Sequence, residues 1–158
     1  MKNKYFKWAI LGVVAISLLI MVTFLLKMPK EELDIFSLNL KEHKNLALHI
    51  HPTLEIEILG EKYTIPGNIG ISPQGTMKVI HTHDSTGKLH IESPYPYQFY
   101  LKDVFKIWGK NISSSCIFSY CEDAEHQLDF YVNNLKNDLR ENIPLIDGEV
   151  IRIVYKRK

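Results

Sequence analysis

The sequence predicts an α+β protein, in which an N-terminal transmembrane helix is followed by a small, mostly antiparallel β domain with one or two short helices. Three observations predict it. Residues 8–26, WAILGVVAISLLIMVTFLL, form a run of 19 residues without a charge. Apolar residues recur at every second position in several later stretches, among them LALHIHP and TLEIEIL. Between those stretches LKDVFKIWG carries its apolar residues at spacings of three and four. At 158 residues the chain has room for one compact domain beside the apolar run, and none for a second large one.

Residues 1–7 read as a cytoplasmic tail and 8–26 as the anchor, because roughly 20 apolar residues are needed to cross the hydrocarbon core as a helix. Lys2, Lys4 and Lys7 precede the anchor, whereas Lys27 and Lys30 are followed by Glu31 and Glu32. That bias puts the N-terminus in the cytoplasm and the rest outside the cell membrane, in a single pass. A cleaved signal peptide is the competing reading, but signal cores are shorter and end in small residues, and this run closes with FLLKMPK. Residues 27–45 are charged and weakly patterned, which predicts a stalk with some helix in EELDIFSLNLKEH.

Residues 46–158 form the extracytoplasmic domain. LALHIHP places Leu46, Leu48 and Ile50 on one face of a strand and His49 and His51 on the other; TLEIEIL then alternates Leu54, Ile56 and Ile58 against Glu55 and Glu57. LGEK supplies a turn, and residues 46–92 read as an antiparallel hairpin pair or small meander. Leu101, Val104, Phe105 and Trp108 define a short helix that Gly109 caps. The last third reads as strand, polar turn, loop and strand, from HQLDFYVNN to DGEVIRIVY, with Asp147 and Gly148 at the final turn.

Chemistry concentrates in VIHTHDSTGKLHIES, residues 79–93, which holds three of the seven histidines. If Asp84–Gly87 is a four-residue turn, His81 faces His90, His83 faces Lys88 and Val79 faces Glu92. Residues two apart share a face and directly opposed side chains lie about 5 Å apart. His81, His83, His90 and Glu92 then stand on one face, while Thr82, Leu89 and Ile91 point the other way. Imidazole and carboxylate ligands suit copper or zinc, so this face is a candidate metal site, with Asp84 beside it. His49 and His51 form a second H-x-H pair, and five imidazoles converge if their strand lies beside the hairpin. The plainer alternative is a solvent-facing sheet whose histidines hydrogen-bond one another or water. A cupin-like reading of Gly75 and the following H-T-H fails, because no glutamate follows His83 at the required distance and no second motif appears.

The anchor, HIHP, YTIPGNIGI, VIHTHDSTGKLHIESP, LKDVFKIWG and DGEVIRIVY together resemble a family of membrane-anchored extracytoplasmic proteins, mostly archaeal. The resemblance covers about residues 46–155, and HTHD...G..HIESP is its most specific piece. It implies that His49, His51, His81, His83 and His90, with Asp84, Glu92, Ser93 and Pro94, are shared features, and it brings no established activity. The stretch from FYVNN to DGEVIRIVY is also similar to the closing strands of β-grasp modules, a likeness of fold that implies no function.

Cys116 and Cys121 lie outside the membrane in this topology, where thiols are oxidised, which predicts a disulfide closing a small loop. A thiolate metal site joined by His126 is the alternative. Asn111 opens the glycosylation triplet N-I-S. No nucleophile elbow, H-E-x-x-H, P-loop or G-x-G-x-x-G is present, so no catalytic or cofactor-binding residues are marked out and an enzyme is disfavoured. Five of the 19 basic residues fall in the first thirty, leaving 14 Lys and Arg against 18 acidic residues, a balance that argues against nucleic acid. Two function classes remain open. One is a membrane-anchored protein that binds copper or zinc; the other is a metal-free, non-enzymatic interaction module of the envelope, serving a membrane-protein partner. A hydrolase or oxidoreductase using the metal is third. In each case residues 8–26 contact lipid.

Overall fold

The computed structural model describes residues 34–158 throughout and, upstream, residues 10, 13–14 and 16–23. Residues 16–23 are helical, with Ile16, Leu18, Leu19 and Ile20 exposed. Among the described residues no helix is long and apolar enough to cross a membrane. The tail at 1–7, the rest of the predicted anchor and residues 27–33 of the predicted stalk lie outside the described residues.

The domain's elements run β1 (Leu48–Ile50), β2 (Thr53–Ile58), β3 (Glu61–Tyr63), β4 (Ile80–His81), β5 (His90–Ser93), α1 (Leu101–Trp108), β6 (Cys116–Ile117), β7 (Tyr120–Cys121), β8 (His126–Val132), β9 (Leu135–Lys136) and β10 (Val150–Arg157). They build a three-stranded sheet of order β1-β5-β4, a five-stranded sheet of order β3-β2-β10-β8-β9, and the small β6-β7 ribbon. Every pairing among them is antiparallel except β2 with β10. The expected α+β, mostly antiparallel class is therefore what the chain adopts.

The hairpin pair expected within residues 46–92 is present, β2 with β3 and β4 with β5, but the two do not form a single meander: β1 joins β5 in one sheet, whereas β2 belongs to the other and runs parallel to its central strand β10. Pro52 stands at the parting, where a residue without an N–H and with a fixed φ cannot continue a ladder. The compact unit spans Asp34–Lys158, so the C-terminal part of the expected stalk packs on the domain. Two short 3-10 turns there, Ile35–Ser37 and Leu40–Glu42, bury Ile35 and Leu40, and Leu40 N–H donates to the Met77 carbonyl (2.8 Å).

Local sequence explains the remaining elements. Leu59 (φ 52°) and Gly60 (φ 89°) both adopt the left-handed backbone that a tight hairpin between β2 and β3 requires, as do Asn133 and Asn134 between β8 and β9. Helix α1 buries Leu101, Val104 and Phe105; the Asp103 carboxylate accepts the Tyr100 N–H (2.8 Å) at its start, and Gly109 caps its end in the left-handed region (φ 69°). Those side chains meet Leu54 and Ile56 of β2, Leu128 and Phe130 of β8, and Ile151 and Ile153 of β10 in a core that continues into Ile80, Leu89 and Ile91 under the histidine hairpin. Each such aliphatic or aromatic side chain contributes about 1.5–3 kcal/mol by leaving water.

Candidate metal centre

The hairpin between β4 and β5 pairs His81 with His90 and Ile80 with Ile91, the expected register. Glu92 N–H donates to the Val79 carbonyl (2.8 Å), continuing it. Leu89 and Ile91 are fully buried, so one face of the hairpin is pinned to the core and the other holds the histidines. Two glycines set its depth. A Cβ on Gly87 would lie 2.3 Å from the Leu54 carbonyl oxygen, and one on Gly70 would lie 2.2 Å from that of Ile80. Both adopt positive φ, so only glycine permits the hairpin to sit this close to β2 and to the preceding loop.

Strand β1 lies on the other side of β5, with His49 opposite Glu92. All five candidate imidazoles are thereby brought to one face, as two overlapping triads: His81, His83 and His90, and His49, His51 and His90. Within each triad one ligand atom per residue lies within 4.8 Å of the others. Three nitrogens holding one zinc ion at about 2.1 Å stand roughly 3.4 Å apart, so small rotations of the exposed His83 and half-buried His90 rings complete the inner set.

The inner triad has the distinctive chemistry. His81 is fully buried. Its Nδ1 lies 3.0 Å from the Lys78 carbonyl oxygen, and a carbonyl can only accept, so Nδ1 carries the proton and Nε2 the lone pair. That Nε2 is buried and has no hydrogen-bond partner among the described residues. An N–H held by a backbone carbonyl is the usual outer support of a metal-binding imidazole, because it fixes the tautomer and the ring. Burial holds the His81 pKa below its ordinary 6.5, outweighing the Lys78 bond and the charge of Glu92. His90 is lowered as well, first by desolvation and then by neighbouring His83 and His51. Both rings are therefore neutral at pH 7, the state a metal requires.

The outer residues are better satisfied. His49 Nε2 lies 3.1 Å from His51 Nε2 and 3.2 Å from the Glu92 carboxylate. Asp147 accepts the His51 N–H (2.7 Å) and stands 4.0 Å from its ring Nδ1. Sequence reading found Asp147 only as a turn residue. It reaches His51 because β10 runs parallel to β2, with Thr53 N–H donating to the Glu149 carbonyl (2.8 Å), and no local pattern announces such a pairing.

The other candidates fall elsewhere. Asp84 belongs to neither triad; its carboxylate accepts the Thr86 N–H (2.9 Å) and hydroxyl, shaping the turn, and the hydroxyl bond lowers its pKa first. Thr82 points away from the histidines as expected, but it is not idle there. Its hydroxyl accepts the Ile69 N–H (3.0 Å) and donates to the Pro66 carbonyl (2.9 Å). Cys116 and Cys121 face each other in the β6-β7 ribbon and are joined as a disulfide, which removes both thiolates from any metal set. His126 bonds Asp123 (3.0 Å) and stacks on Tyr155. Asn111 is exposed just before β6. A surface cleft lined by Glu55, Glu57, Lys62 and Arg152 lies on the other sheet, away from the histidines.

No protein-family model, curated protein or solved structure matches the chain.

Proposed function

We propose that this is a single-pass, membrane-anchored extracytoplasmic protein whose histidine face binds a transition metal ion, copper or zinc. One observation carries the metal reading. His81 presents a buried, neutral nitrogen that no group among the described residues satisfies, with His83 and His90 beside it. Leaving a buried acceptor unmade costs about 1–3 kcal/mol, and a metal ion shared with His83 and His90 turns that deficit into a bond.

Placement with the archaeal membrane-anchored family rests on HTHD...G..HIESP and the HIHP strand. The order β3-β2-β10-β8-β9, with its central strands parallel, supports the β-grasp analogy for the second sheet. The anchor supports an outside location. Protease added to intact cells should digest the domain after Lys30, and protection until lysis would reverse the orientation.

An interaction module without metal is the second reading. The bonds among His49, His51 and Glu92 favour it, because they satisfy those side chains with no ion. Metal analysis separates the two: the purified protein, given Cu(II) or Zn(II) and then desalted, should retain about one ion per chain through its three-histidine set. A protein that emerges free of both metals supports the module.

A further inference from the structure

Strand β5 is the middle strand of its sheet, so His90 has a neighbouring strand on each side. On β4 its paired residue is His81. On the β1 side the register runs from His49 opposite Glu92 to Thr53 opposite Lys88, with Leu89 N–H donating to the Pro52 carbonyl (2.9 Å), and this sets His51 level with His90. Three imidazoles thus form a row across the sheet. Ring centroids lie 4.7 Å apart from His51 to His90, 5.4 Å from His90 to His81 and 4.5 Å from His90 to His83. Each side of His90 also carries an exposed ring close to a carboxylate: His49 with Glu92 at 3.2 Å, and His83 next to the exposed Asp84.

We infer that His90 bridges two divalent ions, one held with His81 and His83 and the other with His49 and His51. The inference rests on the metal reading above and adds a second ion to it. One ion cannot serve both pairs. Neighbouring strands stand about 4.8 Å apart, so β1 and β4 are roughly 9.6 Å apart across β5, whereas two nitrogens on one such ion are about 3.4 Å apart. His90 can serve both, because its ring has two nitrogens that point away from each other and both triads include it. With a metal–nitrogen bond of about 2.1 Å on either edge of that ring, the two ions stand roughly 6 Å apart. His49 and His51 already hold their Nε2 atoms 3.1 Å apart, near the spacing that one ion imposes.

The first ion takes the lone pair of one His90 nitrogen and leaves a proton on the other. When the second ion arrives, that N–H bond breaks, its electron pair forms the new metal–nitrogen bond, and the proton goes to water; nothing is oxidised or reduced. Loss of that proton opposes the second ion, which is therefore held more weakly than the first and departs on desalting. Glu92, Asp84 and Asp147 offset the positive charge of the pair, and Lys88 opposes them.

Electron paramagnetic resonance of Cu(II) reads the bridge. Two coppers joined through one imidazolate couple and lose their signal near liquid-helium temperature, whereas two separate coppers add. In the full-length protein, held in detergent at mildly alkaline pH and not desalted, the first equivalent of Cu(II) should give a full signal and the second should remove most of it. The His49→Ala/His51→Ala variant should keep the first signal, which shows that it is folded, bind the second equivalent about 100-fold more weakly and show no such loss. His90→Ala should give no coupled state at any loading. A second equivalent that doubles the signal, or a parent that saturates at one equivalent, overturns the bridge and leaves the metal site in place. Loss of signal in the double variant equal to the parent's overturns it also. A parent that takes up no Cu(II) overturns the metal reading itself.

Discussion

His81 and Asp129 are the two most instructive polar residues in the domain, one on each sheet, and the fold treats them in opposite ways. Both are withdrawn from water, at 0% and 5% exposure. Asp129 is surrounded: Lys136 Nζ lies at 2.6 Å and Lys156 Nζ at 3.0 Å, and Gln127 and Tyr131 also donate to it. Burial pushes its pKa up, yet the two lysines outweigh burial and hold the carboxyl below its ordinary 3.8. His81 has one nitrogen satisfied and one without a partner among the described residues. A buried polar group whose bonds are all made is part of the scaffold. One left half-made on a well-packed hairpin points to something beyond the protein.

The contrast can be broken most severely at Asp129. Asp129→Ala leaves two lysines without their common partner and should destabilise the metal-free domain by about 3 kcal/mol in urea unfolding, the low end for a broken buried pair because both lysine ends reach solvent. A change under about 1 kcal/mol would show that the cluster contributes little. His81→Ala should do the reverse. Zn(II) affinity by calorimetry should fall about 100-fold or more, as losing one of three ligands implies, while metal-free stability changes little because an unsatisfied nitrogen leaves with the ring. Equal affinity in parent and variant would remove His81 from the site.

The disulfide belongs to neither side of the contrast and gives a reference for it. Cys116 and Cys121 are only five apart, so replacing both by serine should destabilise by about 2 kcal/mol, the small loop-closure entropy of a short bridge. Metal affinity should not change, and a drop would return the thiols to the metal question.

Acid sharpens the comparison, with smaller effects at two separate pH values. The folded pKa of His81 lies below the unfolded 6.5, so on acidification the unfolded chain takes up the proton first. Metal-free stability should begin to decline near pH 6.5 and continue through the lowered folded value. Asp129, lowered from 3.8, contributes stability that is intact above that pH and is lost as the pH falls through its folded value. His81→Asn should reduce the upper step, leaving the part due to His90, and Asp129→Asn should abolish the lower one. Thermal midpoints from pH 3 to 8 read both, and an unchanged upper step in the His81 variant assigns it elsewhere. The smallest effect is expected at Lys88, exposed on the hairpin opposite His83; Lys88→Ala should leave metal affinity within about twofold, since its charge faces solvent and is the weakest of the influences on His90. It is a better control than Thr82, whose hydroxyl bridges Ile69 and Pro66.

Sequence alone determined those parts whose causes are local. The helix and its Gly109 cap, the Asp84–Gly87 turn, the His81–His90 register and the burial of Leu89 and Ile91 follow from periodicity, turn chemistry and a pleat of period two. The disulfide, expected from the spacing of Cys116 and Cys121 and a predicted external location, is present. Tertiary structure decided what depends on which strand lies beside which. Alternation in LALHIHP and TLEIEIL is the same, and nothing in it tells that one strand would join β5 while the next would run parallel to β10. That choice sets His49 opposite Glu92 and brings Asp147 to His51. It also leaves His49 and His83 exposed, His51 and His90 half-buried and His81 fully buried on one face, because depth is a property of the packed core beneath a residue and leaves no mark in the residue's own neighbourhood of the chain.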